Sequence, residues 1–261
     1  MVVLATCHRA NADFEASRKL TENVLDQIKN KPEALINLAF IELHSGNKEI
    51  ALEKFLLAFE QKPFLEDIWD LIISLSISSN KLETLLPYMV KMFRINSKKH
   101  NLLNTTSAIL NKINSRALAE KTLLQLLDIE PQNASVLNAL GALYLNFREF
   151  GSAIDFLQKA TEANENMAIA WNNLGMAFHE CMKLENAEKA YWRALNIKPK
   201  YAEVEFRLAT VYYLRKEFEK AIKHYTKSFE NGLTHDKLLL SLSLQKIGKF
   251  KEAIKVLRIN C

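Results

Sequence analysis

The chain has 261 residues, 49% of them hydrophobic, with only 6 glycines and 5 prolines, and a formal net charge of +5. A charge this mild makes no electrostatic case for nucleic acid, and no apolar run approaches the ~18 residues of a membrane span, since Leu71 to Ile77 is already broken by Ser74 and Ser76. Leu, Ala, Lys, Glu and Asn dominate without β-branched alternation, which argues against a sheet-rich fold.

Met1 to Ala5 is apolar but lacks a basic lead and is too short for a signal peptide, so a cytoplasmic location is expected. Cys7, Cys181 and Cys261 match neither a CxxC motif nor a paired framework and are expected to be free thiols. His179 and Cys181 are two apart, so they diverge on a helix and cannot share a metal. No GxGxxG, P-loop, GxSxG, HExxH or EF-hand pattern occurs. The expectation is no enzyme active site, no metal and no cofactor.

Small residues recur 34 apart at Ala119, Ala153, Ala187 and Ala221, and prolines 68 apart at Pro63, Pro131 and Pro199. In chain order the period divides residues 1–261 into one array of units at about 1–31, 32–65, 66–99, 100–133, 134–167, 168–201, 202–233 and 234–261. Each unit is expected to be two antiparallel helices. With Ala168 as position 1, Trp171, Leu174 and Phe178 share one helical face, while Gly175 (position 8) and Ala187 (position 20) are small where the two helices touch most closely. Gly46 and Gly248 fall at position 15, where a left-handed residue ends the first helix, and Pro199 stops the second.

The third unit departs most, with Ile73 and Leu85 at the two close-contact positions and Pro87 inside the expected second helix. A locally altered hairpin is expected there, with a soft joint near residues 80–110. Met1 falls at position 4 of a unit and Cys261 at position 28, leaving Leu244, Ile254, Leu257 and Ile259 as an expected apolar edge. The chain therefore reads as a piece of a longer repeat protein, or as one whose ends a partner covers, by a flanking domain or by end-to-end self-association.

Trp171, Leu174, Gly175, Phe178, Leu184, Ala187, Tyr191, Ala194 and Pro199 resemble the tetratricopeptide repeat at every signature position. The resemblance covers essentially the whole chain and implies an all-α, right-handed alpha-alpha superhelix. It further implies a concave groove lined by first-helix positions 2, 5, 6, 9, 12 and 13. Projected here, those positions include Asn104, Asn111, Asn138, Asn146, Asn172 and Asn173, then Phe206, Arg207 and Tyr213. Amide side chains offer donors and an acceptor and can pair with a peptide backbone irrespective of its side chains. Such a ladder resembles the asparagine-lined superhelix of the O-linked N-acetylglucosamine transferase family, although only Asn37 and Asn173 sit at that family's usual position 6. The alternative is that these amides are merely solvated. The family's carboxylate clamp matches only at Asn173 and Arg207, with Glu203 opposing it.

From Met182 onward 17 Lys/Arg face 9 Asp/Glu, a net +8 that leaves −3 for the first 181 residues. Lys189, Lys223 and Lys255 at position 22, with Arg193 and Lys227 at position 26, are expected as an outward ridge. The expected role is a protein-interaction adaptor holding an extended peptide or partner helix, with no small-molecule substrate and neither nucleic acid nor membrane as partner. The alternative is the substrate-recruiting arm of a glycosyltransferase or sulfotransferase whose catalytic domain lies elsewhere.

Overall fold

The computed structural model describes residues 1–28, 31–62, 68–95, 116–233 and 237–258, and these contain helices but no strand. None of the described helices is long and apolar enough to cross a membrane. The chain divides into two compact units, Met1–Ile129 and Glu130–Cys261. The first holds α1 Val2–Ala10, α2 Phe14–Gln27, α3 Pro32–His44, α4 Lys48–Gln61, α5 Trp69–Ser78, α6 Leu86–Ile95 and α7 Arg116–Ile129. The second holds α8 Ala134–Asn146, α9 Phe150–Ala163, α10 Ala168–Glu180, α11 Leu184–Ile197, α12 Ala202–Leu214, α13 Phe218–Glu230, α14 Leu238–Lys246 and α15 Phe250–Arg258. Within each unit the helices are stacked antiparallel hairpins, as the repeat implies.

Every described hairpin turns by the same device. The position 15 residues Ala12, Gly46, Asn80, Arg148, Met182, Lys216 and Gly248 all have positive φ, from 53° to 83°. The following N–H then reaches back to the first helix. Asp13 donates to the His8 carbonyl at 2.9 Å, Lys81 to Ser76 at 2.8 Å, Lys183 to Phe178 at 2.9 Å and Lys249 to Leu244 at 2.9 Å. These are Schellman closures, which satisfy carbonyls that the helix end would otherwise leave unpaired. Only two of the seven residues are glycine, so the hairpin imposes the left-handed conformation on side chains that disfavour it.

The helices of a hairpin meet at positions 8 and 20. Ser17, Ala51, Ala119, Ala153, Ala187, Ala221 and Ala253 are all buried at position 20. At position 8, a Cβ on Gly175 would lie 2.5 Å from the Tyr191 ring, and one on Gly141 would lie 2.4 Å from Leu157. Glycine is therefore what lets the Tyr191 ring lie flush against α10.

In the third hairpin Ile73 and Leu85 are both buried at these contacts, and the second helix is remade. A 3-10 turn, Leu82–Leu85, precedes α6. Leu85 thus enters the core from the tighter turn. Pro87 falls in the first turn of α6, where a missing N–H breaks no bond. Trp69 is buried against Phe59, with ring centroids 5.1 Å apart. Residues 96–110 of the expected soft joint lie outside the described residues. Leu244, expected on an uncovered edge, is instead buried, because α14 packs on both α13 and α15.

Candidate functional site

The first helices of the second unit are α8, α10, α12 and α14, and the first three carry seven of the nine residues singled out in the sequence. A cavity of about 400 Å³ is lined by His179 and Glu180 of α10, by Glu203, Phe206, Arg207 and Thr210 of α12, and by Leu233 and Leu239. The α10 pair stands at positions 12 and 13 of its unit, and the α12 residues stand at positions 2, 5, 6 and 9 of theirs. The 34-residue period therefore locates this wall.

Electrostatically the wall is mixed. Arg207 is half-buried, and its Nε is shut off from solvent without a hydrogen-bond partner. The Tyr191 hydroxyl is likewise buried and unpartnered. Burial pushes the Tyr191 phenol far up, the nearby Arg207 charge lowering it and Glu180 raising it. It stays a neutral donor. Burial also holds the His179 imidazole below its usual value, opposed by Glu180 and reinforced by Arg207. His179 is therefore neutral at physiological pH, and among the described residues Arg207 is the only cation lining the cavity, together with Glu180 and Glu203. A guanidinium N–H without an acceptor, in a cavity also lined by the apolar Phe206 and Leu239, suits a group that brings its own oxygen acceptors. Phe206 is braced from behind by Tyr225, with centroids 5.0 Å apart.

The asparagines are less uniform than their spacing suggests. Asn173 donates to the Asn138 Oδ1 at 2.9 Å, so the two amides form one bridge between α10 and α8. Asn172 is buried, its Nδ2 3.4 Å from the Asn173 Oδ1 and its own Oδ1 without a partner. Asn146 is exposed, two turns from Asn138. Asn104 and Asn111 lie outside the described residues. In the first unit, Asn37 is spent internally. It accepts from the Arg9 Nε at 2.7 Å and donates to Ser17 at 2.9 Å and Thr21 at 2.8 Å. Tyr213 is half-buried, edge-on to Phe218 at 5.7 Å.

Sequence reasoning missed Thr210, which the same period would have flagged, whereas Tyr191, read as packing, is fully buried in the core. It also missed a buried ionic cluster. Glu205 occupies position 4, where the other units place Trp69 and Trp171, and is fully buried. Its carboxylate meets the His224 Nδ1 at 2.7 Å and the Lys227 ammonium. Lys227, expected on the outward ridge, is therefore tied into the hairpin, while Lys189, Arg193, Lys223 and Lys255 are exposed.

The chain has recognisable relatives. A family model described as tetratricopeptide repeat matches residues 134–167, and one described as anaphase-promoting complex, cyclosome, subunit 3 matches residues 180–259. The chain is 36% identical over 87 residues to the peroxisomal targeting signal receptor of Kluyveromyces lactis, covering 33% of this chain and 15% of that protein. It is 31% identical over 123 residues to the anaphase-promoting complex subunit CDC16 of Saccharomyces cerevisiae, covering 44% and 15%. To the small glutamine-rich tetratricopeptide repeat-containing protein 2 of Mycosarcoma maydis it is 25% identical over 119 residues, covering 46% and 34%. The chain thus spans only a minor part of these relatives. Among solved structures, that of pilF from Pseudomonas aeruginosa superposes with a TM-score of 0.53 at 17% identity, covering 87% of this chain and 88% of that one. That of MamA superposes with a TM-score of 0.52 at 20% identity, covering 61% and 94%. Both share the fold.

Proposed function

The chain is a tetratricopeptide-repeat protein, and on that premise we propose that it is a non-enzymatic adaptor whose second unit holds an extended peptide or partner helix along its first helices. The observation that carries this reading is the cavity beside α12, which Arg207 lines with its Nε buried and without an acceptor. A peptide carboxylate or carbonyl supplies what Arg207 lacks. Phe206 and Leu239 give an apolar neighbour a surface, and the Asn138–Asn173 bridge continues the polar wall toward α8. The relatives' names, a targeting-signal receptor and a complex subunit, support binding in preference to a recruiting arm of a transferase. A cytoplasmic setting is part of the proposal.

An array of synthetic peptides, each carrying one Asp or Glu next to a bulky apolar residue, tests this on the full chain. Such peptides should be retained over their Asn or Gln counterparts. Arg207→Ala should erase that preference, a loss of about tenfold or more for a charge-assisted hydrogen bond. Asn138→Ala with Asn172→Ala should weaken all bound peptides alike. Unchanged binding in both variants would refute the groove.

A further inference from the structure

The two units differ at the turns of their hairpins. In the first, positions 14 to 16 hold Asn11, Ala12 and Asp13, then Ser45, Gly46 and Asn47, then Ser79, Asn80 and Lys81, all small or polar. The two charged residues among them are paired locally, Asp13 with the His8 Nδ1 at 3.0 Å and Lys81 with Glu49 at 2.5 Å. In the second unit, the turn ends of α8, α10 and α12 each show a large apolar side chain to solvent. Phe147 is 44% exposed, Met182 64%, and Leu214, the last residue of α12, 41%. Beside each stands an exposed cation, Arg148, Lys183 or Lys216, and none of the three has an ion pair among the described residues.

The turn itself requires neither feature. Met182 holds a φ of 57° at the position that Gly46 and Gly248 fill without strain, so an exposed methionine stands where a smaller residue would be more stable. The acids nearby are engaged elsewhere. Glu217 is held by Arg215 at 2.8 Å and by Lys220 at 2.6 Å, Glu180 lines the cavity, and Glu149 is half-buried. Glu185 and Glu219 lie in the first turns of α11 and α13, where they offset the positive ends of the helix dipoles.

We propose that this edge of the second unit docks on an anionic lipid surface, with Phe147, Met182 and Leu214 entering the headgroup boundary and Arg148, Lys183 and Lys216 pairing with lipid anions. Stacked hairpins carry their turns along one edge, so the three turns meet such a surface together. The arrangement favours a bilayer over a protein. A protein partner anchors apolar side chains in fitted, desolvated pockets. Single apolar residues on separate turns, each beside a cation, instead find hydrocarbon and headgroup one by one at a membrane surface. The whole-chain charge gave no reason to expect this partner, because the +8 from Met182 onward is offset by −3 before it. With three short anchors the attachment is reversible and weakens with salt.

Co-flotation of the full chain with phosphatidylcholine vesicles, with and without added phosphatidylserine, tests this at low ionic strength. The chain should float with the phosphatidylserine vesicles, stay behind with pure phosphatidylcholine, and be released by salt. Lys183→Gln and Lys216→Gln should each weaken binding about fivefold, the worth of one cation near an anionic surface. Met182→Gly should weaken it about tenfold for the lost apolar anchor, yet raise the thermal midpoint, a split that a merely structural role would not give. Arg207→Ala should leave vesicle binding unchanged, so this proposal and the peptide groove fail separately. A chain that ignores the phosphatidylserine vesicles overturns the proposal. So does vesicle binding that survives Met182→Gly and both lysine substitutions, or that is lost in Arg207→Ala. Retention of polyglutamate in place of vesicles would overturn it too, and would assign the edge to an acidic protein.

Discussion

The hairpins at 168–201 and 66–99 share one register and solve its closest contact in opposite ways. In the first, Gly175 and Ala187 leave room, and the fully buried Tyr191 ring fills it. In the second, Ile73 and Leu85 occupy the room themselves, and the backbone gives way: the helix opens with a 3-10 turn, and α6 begins only at Leu86. The period thus fixes where two helices approach, but the pair of residues at that point decides whether a side chain or the backbone adjusts. Close packing makes this a choice between discrete solutions.

Five substitutions would break or sharpen this contrast. The largest effect is expected from Leu85→Ala. If the hairpin has reorganised around Leu85, its loss leaves a cavity and costs about 2–5 kcal/mol by denaturant unfolding. A gain in stability would mean that Leu85 is merely squeezed in. Gly175→Val drives a branched side chain into the Tyr191 ring and should cost about 3 kcal/mol, the upper end for overpacking. A neutral result would remove the reason for glycine at that contact.

The turns give a smaller and opposite effect. Met182 is held at φ 57° and should gain about 0.5–1 kcal/mol as glycine, after the entropy that glycine loses on folding is deducted. Asn80, at φ 53° in the altered hairpin, already tolerates that conformation, and Asn80→Gly should change the thermal midpoint less than Met182→Gly does. Least of all, Pro87→Ala should shift stability by under about 1 kcal/mol, because a first-turn proline breaks no helical bond. A gain near 3 kcal/mol would show that Pro87 interrupts the helix.

Acid should destabilise the first unit through Glu42. The Glu42 carboxyl is held below its ordinary value, chiefly by the hydrogen bond from Asn47 and, against the cost of burial, by Arg18. A depressed folded value means that the stabilisation is present above the unfolded carboxylate range and is lost as pH falls through the folded value. Glu42→Gln should therefore flatten the acid limb of the unfolding midpoint, and an unaltered limb would assign it to other carboxylates.

Much of the fold was legible because its rules are short-range or strictly periodic. A left-handed residue at position 15, a small one at position 20 and an apolar one at position 24 follow from the steric needs of a helix pair, and each recurs in the letters of the chain. Most of the candidate wall was legible for the same reason, since positions 2, 5, 6, 9, 12 and 13 are fixed by the register. What each polar side chain does there was not. Asn37 and Asn173 share position 6, yet one is consumed by Arg9, Ser17 and Thr21 while the other bridges to Asn138.

The sequence alone determined the hairpin, its turn and the order of its contacts, since those depend on residue size and backbone preference at fixed intervals. Only the tertiary structure decided that Arg207 and Tyr191 keep unsatisfied donors, that Glu205 is buried against His224 and Lys227, and that Leu244 is covered while Leu257 is not. Hydrogen-bond partners and exposure depend on rotamers and on distances between neighbouring helices, and a repeat period carries neither.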